Sequence, residues 1–204
     1  PSQQFSVFHV LRPSTFDLRR TMSSLPWRHL LLALGVVAIW GSNFAVIKIA
    51  LGHLPPLLFA TLRFSLATVP AIFFLPRPAV PWRHLAAYGI LIGVGQFGFV
   101  YFAMTRFISP GLASLVVQTQ VFFTIGLAMW WQGERLRRHQ PFALVLAAAG
   151  LGVIIAHTDA HTTPLGLVMI LLAALNWSLA NQVARASPKA NMLAYVVWSS
   201  PFAV

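Results

Sequence analysis

Arg63 is a permanent cation placed about a third of the way into an apolar run, Pro56–Leu75. A guanidinium cannot shed its charge, and holding it in hydrocarbon costs about 2.5–3.5 kcal/mol on insertion scales, so it must face a cavity or a partner. Two readings stay open. Arg63 is either the counter-ion for a carboxylate entering the cavity or an arginine that reaches the nearer interface and braces its neighbours. Lys48, closer to the end of its own run, fits the second reading better. The other polar groups inside the runs are mostly amides: Asn43, Gln96, Gln118, Gln120, Asn176 and Asn181. Amides donate and accept hydrogen bonds but are poor acids and bases, so they bind and orient. Each is a candidate for the cavity or for packing against another helix. Trp40 and Trp177 are candidate cavity walls, with ordinary packing as the alternative.

Gln118 and Gln120 lie about 200° apart around a helix, so they cannot line one face together. Gln118 shares its face with Ser114, and Gln120 with Thr124. One pair is expected to look into the cavity and the other to pack against a helix, where such bonds average about 0.6 kcal/mol. The spacing does not say which.

Several other chemistries are disfavoured. There is no G-x-S-x-G, no H-E-x-x-H and no phosphate-binding ATP loop, and no Asp or Glu lies within an apolar run. Neither an enzyme nor proton coupling through a buried carboxylate is expected. Gly93-Val94-Gly95-Gln96-Phe97-Gly98 matches the dinucleotide fingerprint, but that motif works only between a strand and a helix. Inside an apolar run its glycines let neighbouring helices approach closely. His157, Asp159 and His161 form a loop cluster without a third firm ligand, so a polar loop is expected rather than a metal site. With zero cysteines, thiolate sites and disulfides are excluded. No cofactor is expected.

Residues of this kind need a scaffold that hides apolar surface from water, and composition names it. Hydrophobic residues make up 58% and charged ones 8% of the chain, against about a quarter charged in soluble domains. Lipid is the natural solvent of such a chain. The net charge of +11 could suggest nucleic acid, but it arises from having only three acidic residues, and the basic ones punctuate the gaps between apolar runs. Nucleic acid is not an expected partner; a bilayer and a small molecule are.

A helix crosses the hydrocarbon with about 20 apolar residues. The expected spans are Leu30–Leu51, Pro56–Leu75, Leu85–Thr105, Gly111–Trp131, Phe142–Ala156 and Leu165–Ala184. A seventh run opens near Met192 and is expected to be truncated at Val204. Arg12, Arg19, Arg20 and Arg28 precede the first span, and Arg77 and Arg83 follow the second. Arg135, Arg137 and Arg138 follow the fourth; Arg185 and Lys189 follow the sixth. The intervening gaps carry none, apart from Arg106. This alternation places the N-terminus in the cytoplasm. The first run is too long, and too interrupted by Trp40, Asn43 and Lys48, for a cleaved signal. Met22 stands just ahead of it, so residues 1–21 are expected to be an unstructured upstream extension.

Trp40 precedes Lys48 by the same interval at which Trp177 precedes Arg185. Five spans separate the two copies, an odd number, so the second would be inverted relative to the first, an arrangement suited to alternating access.

Trp40-Gly41-Ser42-Asn43, Pro55-Pro56 followed by Leu62-Arg63-Phe64, Gly111-Leu112-Ala113-Ser114-Leu115 and Gly133-Glu134-Arg135 occur in that order. From about Leu30 onward the chain resembles the EamA branch of the drug/metabolite transporter superfamily, most of all its bacterial exporters of O-acetylserine and cysteine. The strongest stretch is Ser109–Leu136. The resemblance implies ten helices in two five-helix repeats, of which roughly three and a half would lie beyond this chain. It also implies a structural or gating role for Glu134 and Arg135, against the alternative of a surface ion pair worth at most about 1 kcal/mol.

The expectation is therefore an all-α polytopic helix bundle with six full spans and a truncated seventh. Residues 1–28 form a basic cytoplasmic extension, 29–157 a first five-helix repeat, and 164–204 an incomplete second. The expected function is export of small polar metabolites, amino-acid derivatives among them, across a bacterial inner membrane by alternating access. A broad-substrate exporter, or a truncated membrane protein without transport, is the alternative. Oligomeric state is left open.

Overall fold

The computed structural model describes residues 27–136, 140–156, 162–188 and 190–204. They form seven helices: α1 Trp27–Leu51, α2 Pro56–Ile72, α3 Trp82–Arg106, α4 Pro110–Gln132, α5 Gln140–Ala156, α6 Pro164–Ala186 and α7 Met192–Ala203. No strand occurs among the described residues. Two compact units divide the chain, the first ending at Trp40 and the second running from Gly41 to Val204. Helices α2 to α7 pack within the second.

Helices α2, α4, α6 and α7 start where the sequence offers a stop. Pro56, Pro110 and Pro164 occupy first-turn positions, where a missing N–H costs nothing. Ser109 and Thr163 cap their helices through side-chain oxygens that accept from Leu112 N and Gly166 N, and Asn191 accepts from Leu193 N and Ala194 N. Helix α4 ends on Gly133, whose φ of 65° is the left-handed conformation that glycine adopts freely.

Helices α1, α3, α4 and α6 are long and apolar enough to cross a membrane; α2, α5 and α7 are shorter. Helix α2 stops at Ile72, three residues before the expected end. Pro70 removes one helical N–H, and Pro76 disfavours helical backbone at Leu75. Helix α5 starts at Gln140 rather than Phe142. Two long helices carry irregular turns that the apolar pattern does not reveal. Helix α3 has a π segment at Leu91–Gly98, and α4 a 3-10 turn at Val117–Thr119.

Contact registers fix the helix directions. Phe59 meets Tyr101 and Phe64 meets Phe97, so α2 and α3 are antiparallel. His84 meets Ser187 and Phe107 meets Thr163, so α3 and α6 are antiparallel too. Helix α7 runs parallel to α3, with Tyr195 on His84 and Ala203 on Gly93. Helix α4 runs parallel to α6, with Thr124 on Ser178 and Gln132 on Gln182. Even-numbered α2, α4 and α6 thus point one way, and α3 and α7 the other.

Alanines such as Ala60, Ala103, Ala113, Ala173 and Ala174 fill much of the core, around Tyr101 and Met104. Small residues suit helices in lipid, where close backbone approach and dispersion replace the hydrophobic drive. Outward faces are largely apolar; Leu66, Trp130 and Phe142 are examples. The fingerprint-like glycines act as spacers. A Cβ at Gly93 would overlap Ala203, and one at Gly95 would overlap Asn176.

Candidate functional site

Arg63 lies half-buried on α2, facing α3. Its Nη1 donates to the Tyr101 hydroxyl at 2.5 Å, and its guanidinium carbon stands 4.5 Å from the Phe97 ring centroid. Glu134 is the sole acidic side chain among the described residues, and it is bonded elsewhere. Arg63 is thus a cation within an apolar helix without a carboxylate partner among them. Lys48 reaches the last turn of α3, where its Nζ donates to Met104 O at 2.9 Å and Thr105 O at 3.5 Å. Carbonyls at a helix C-terminus lack intrahelical donors and carry the negative end of the dipole, so a lysine there is favourable.

Gln118 and Gln120 do look in different directions. Gln118 is exposed and lines a groove of about 520 Å³ between α4 and α5, opposite Gln140. Apart from Thr119, whose hydroxyl donates to Val116 O, the remaining lining is apolar, with Leu115, Phe122 and Leu151 among it. Ser114, on the Gln118 side, bonds back to Gly111 O at 2.7 Å.

Gln120 meets α6 through its backbone carbonyl and accepts from Thr124 Oγ1 at its side chain, opening a polar seam whose members are spaced by multiples of four residues. Ser178 Oγ donates to Gln120 O at 2.8 Å, and Thr124 Oγ1 lies 3.1 Å from Ser178 Oγ. Gln182 Nε2 donates to Thr124 O at 3.1 Å, and Gln132 Nε2 to Gln182 Oε1 at 2.6 Å. At its end Arg185 reaches Gln132 Oε1 at 3.4 Å and Glu134 Oε1 at 3.3 Å. Glu134 therefore pairs with α6, and both partners are about half exposed. Arg135 is exposed.

The other predicted residues are dispersed. Gln96 is buried in the π segment, 7% exposed; such segments often mark functional positions. Asn176 donates to Leu172 O at 2.8 Å and packs on Gly95. Trp177 packs against the main core. Asn43 and Asn181 are half-buried. Trp40 is 54% exposed on α1, in the other compact unit. The loop cluster His157, Asp159 and His161 lies outside the described residues, and no metal-holding group occurs among those described.

Sequence reasoning missed Tyr101, Phe97, Gln132, Ser178, Gln182 and Gln140. The series Gln120-Thr124-Gln132 and Ser178-Gln182 was visible as spacing in multiples of four. Nothing local to α3 pointed to Tyr101, because its role depends on the antiparallel pairing with α2.

These long apolar helices and outward apolar faces are those of a multi-pass membrane protein. The model of the EamA-like transporter family matches residues 27–156, and the chain belongs to that family. It is 43% identical over 175 residues to a protein of Salmonella typhimurium named "Probable amino-acid metabolite efflux pump", covering 83% of this chain and 58% of that one. An Escherichia coli protein of the same name is 42% identical over the same shares. "Uncharacterized transporter YoaV" of Bacillus subtilis is 29% identical, covering 72% of this chain and 54% of that one. The chain thus spans 58% of the length of the first two. No solved structure matches it.

Proposed function

We propose that this chain forms the first five-helix repeat, and the start of an inverted second, of a secondary transporter that exports small polar metabolites from bacteria. Amino-acid derivatives that carry a carboxylate, O-acetylserine and cysteine among them, are the substrates the reading favours. The observation that carries it is Arg63, a half-buried cation on a membrane helix with no acidic partner among the described residues. A carboxylate presented to a guanidinium gains charge-assisted hydrogen bonds in a poorly screened setting. The names of the two relatives agree with an amino-acid metabolite as cargo.

The inverted repeat finds support in the two basic residues that open it. Lys48 on α1 bonds carbonyls at the C-terminal end of α3, and Arg185 on α6 bonds Gln132 at the C-terminal end of α4. Helices α3 and α4 point opposite ways, so the two contacts belong to opposite faces of the membrane. With the N-terminus cytoplasmic, Lys48 serves the outer face and Arg185 the inner. Glu134 and Arg185 then hold the inner end of the α4–α6 seam, where a gate would open. Transport draws on an ion gradient or on the substrate gradient.

Bacteria expressing the gene are expected to accumulate O-acetylserine or cysteine in the medium faster than controls. Release of unrelated solutes instead supports a broad-substrate exporter. No increase for any solute in the panel would leave a membrane protein without transport.

A further inference from the structure

The Arg63 guanidinium is held on two sides. Tyr101 takes Nη1 through its hydroxyl at 2.5 Å, and Phe97 lies under the guanidinium face at 4.5 Å from the ring centroid. These two residues are one turn apart on α3, with ring centroids separated by 5.5 Å. Phe59 packs on the Tyr101 ring at 5.0 Å and Phe64 on the Phe97 ring at 5.5 Å, both from α2. Tyr101 is 0% exposed. A ring clamped this way gives its hydroxyl a fixed position, so it anchors one nitrogen of a planar group. A guanidinium with one nitrogen anchored and one face on a ring keeps a single orientation for its remaining N–H groups. Fixed direction is what bidentate carboxylate recognition requires.

We propose that Tyr101, with Phe97 beneath the guanidinium, is a positioning residue that aims the free N–H fork of Arg63 and so sets preference for a planar carboxylate over the corresponding neutral ester. The inference rests on Arg63 as the carboxylate partner. Tyr101 acts through Arg63 and does not touch the substrate, since it has no exposed surface. Preorganisation of this kind raises affinity by sparing the ordering cost at the moment of binding.

The test is equilibrium binding of labelled O-acetyl-L-serine, and separately of labelled L-cysteine, to the purified protein, with the methyl ester of each as competitor. Tyr101→Phe removes only the hydroxyl. It is expected to weaken binding of the acid about ten-fold while leaving the ester within about two-fold, so that the acid-over-ester preference shrinks by a similar factor. Phe97→Leu, which removes the ring but keeps an apolar side chain, is expected to shrink the preference about three-fold. Equal weakening of acid and ester in both variants is what a merely structural role would produce, and it overturns the proposal. So does an unchanged preference in Tyr101→Phe when Arg63→Gln abolishes it, and there Arg63 keeps its role. A preference that survives Arg63→Gln, or no saturable binding of either acid by the wild type, overturns the reading of Arg63 and this inference with it.

Discussion

Asn176 of α6 occupies the space that a side chain at Gly95 of α3 would need. Helix spacing is thus set where the π segment turns its buried glycines toward α6 and α7, beside Gln96. Gly95→Ala is expected to push the helices apart and destabilise the protein by about 1–3 kcal/mol, as overpacking does. Adding Asn176→Ala should recover much of the loss. Thermal unfolding of the purified protein in detergent, followed by tryptophan fluorescence, measures both; an additive double variant would contradict the contact.

The α4–α6 seam should behave as a set of modest, coupled hydrogen bonds. Gln132→Leu and Gln182→Leu each strand one amide of the 2.6 Å pair. Their double-mutant cycle should give a coupling of about 0.6 kcal/mol, with an upper bound near 1.7. A coupling of zero would mean that the two amides do not meet.

The Glu134–Arg185 pair, about half exposed on both sides, contributes little to stability. Glu134→Gln should change it by less than about 1 kcal/mol, and the difference should vanish in high salt. A larger loss that salt does not reduce would make the pair a structural bond of the bundle.

Much of the bundle was legible in the residues themselves. Apolar runs bounded by Pro56, Pro110 and Pro164 gave helices close to their observed limits, because length and proline placement act locally. Opposite facing of Gln118 and Gln120 followed from helical geometry and survived the 3-10 turn between them. The partners were not legible. Tyr101 meets Arg63 only because α2 and α3 run antiparallel in one register, and Glu134 chooses Arg185 only because α6 lies parallel to α4. Those pairings are tertiary, and hydropathy reports burial without naming neighbours. The π segment was hidden as well, since its sequence reads as an ordinary glycine-rich helix.

Topology can be read directly, because the chain has no cysteine to mask a single introduced one. With the N-terminus in the cytoplasm, His53→Cys between α1 and α2 should react with an impermeant maleimide added outside spheroplasts. Ala79→Cys between α2 and α3 should react only after the membrane is opened. The reverse pattern would invert the assignment made from Arg77 and Arg83.

The most direct measurement of the account is efflux of labelled O-acetylserine and cysteine from preloaded cells expressing the wild-type, Arg63→Lys or Arg63→Gln protein at matched membrane abundance. If Arg63 is the carboxylate partner, Arg63→Gln lowers protein-dependent efflux at least about thirty-fold, the low end of the cost of truncating one partner of a desolvated charge pair. Arg63→Lys keeps charge but loses the fork, and falls between. Arg63→Gln efflux equal to wild type would contradict the account and leave Arg63 as a brace between α2 and α3.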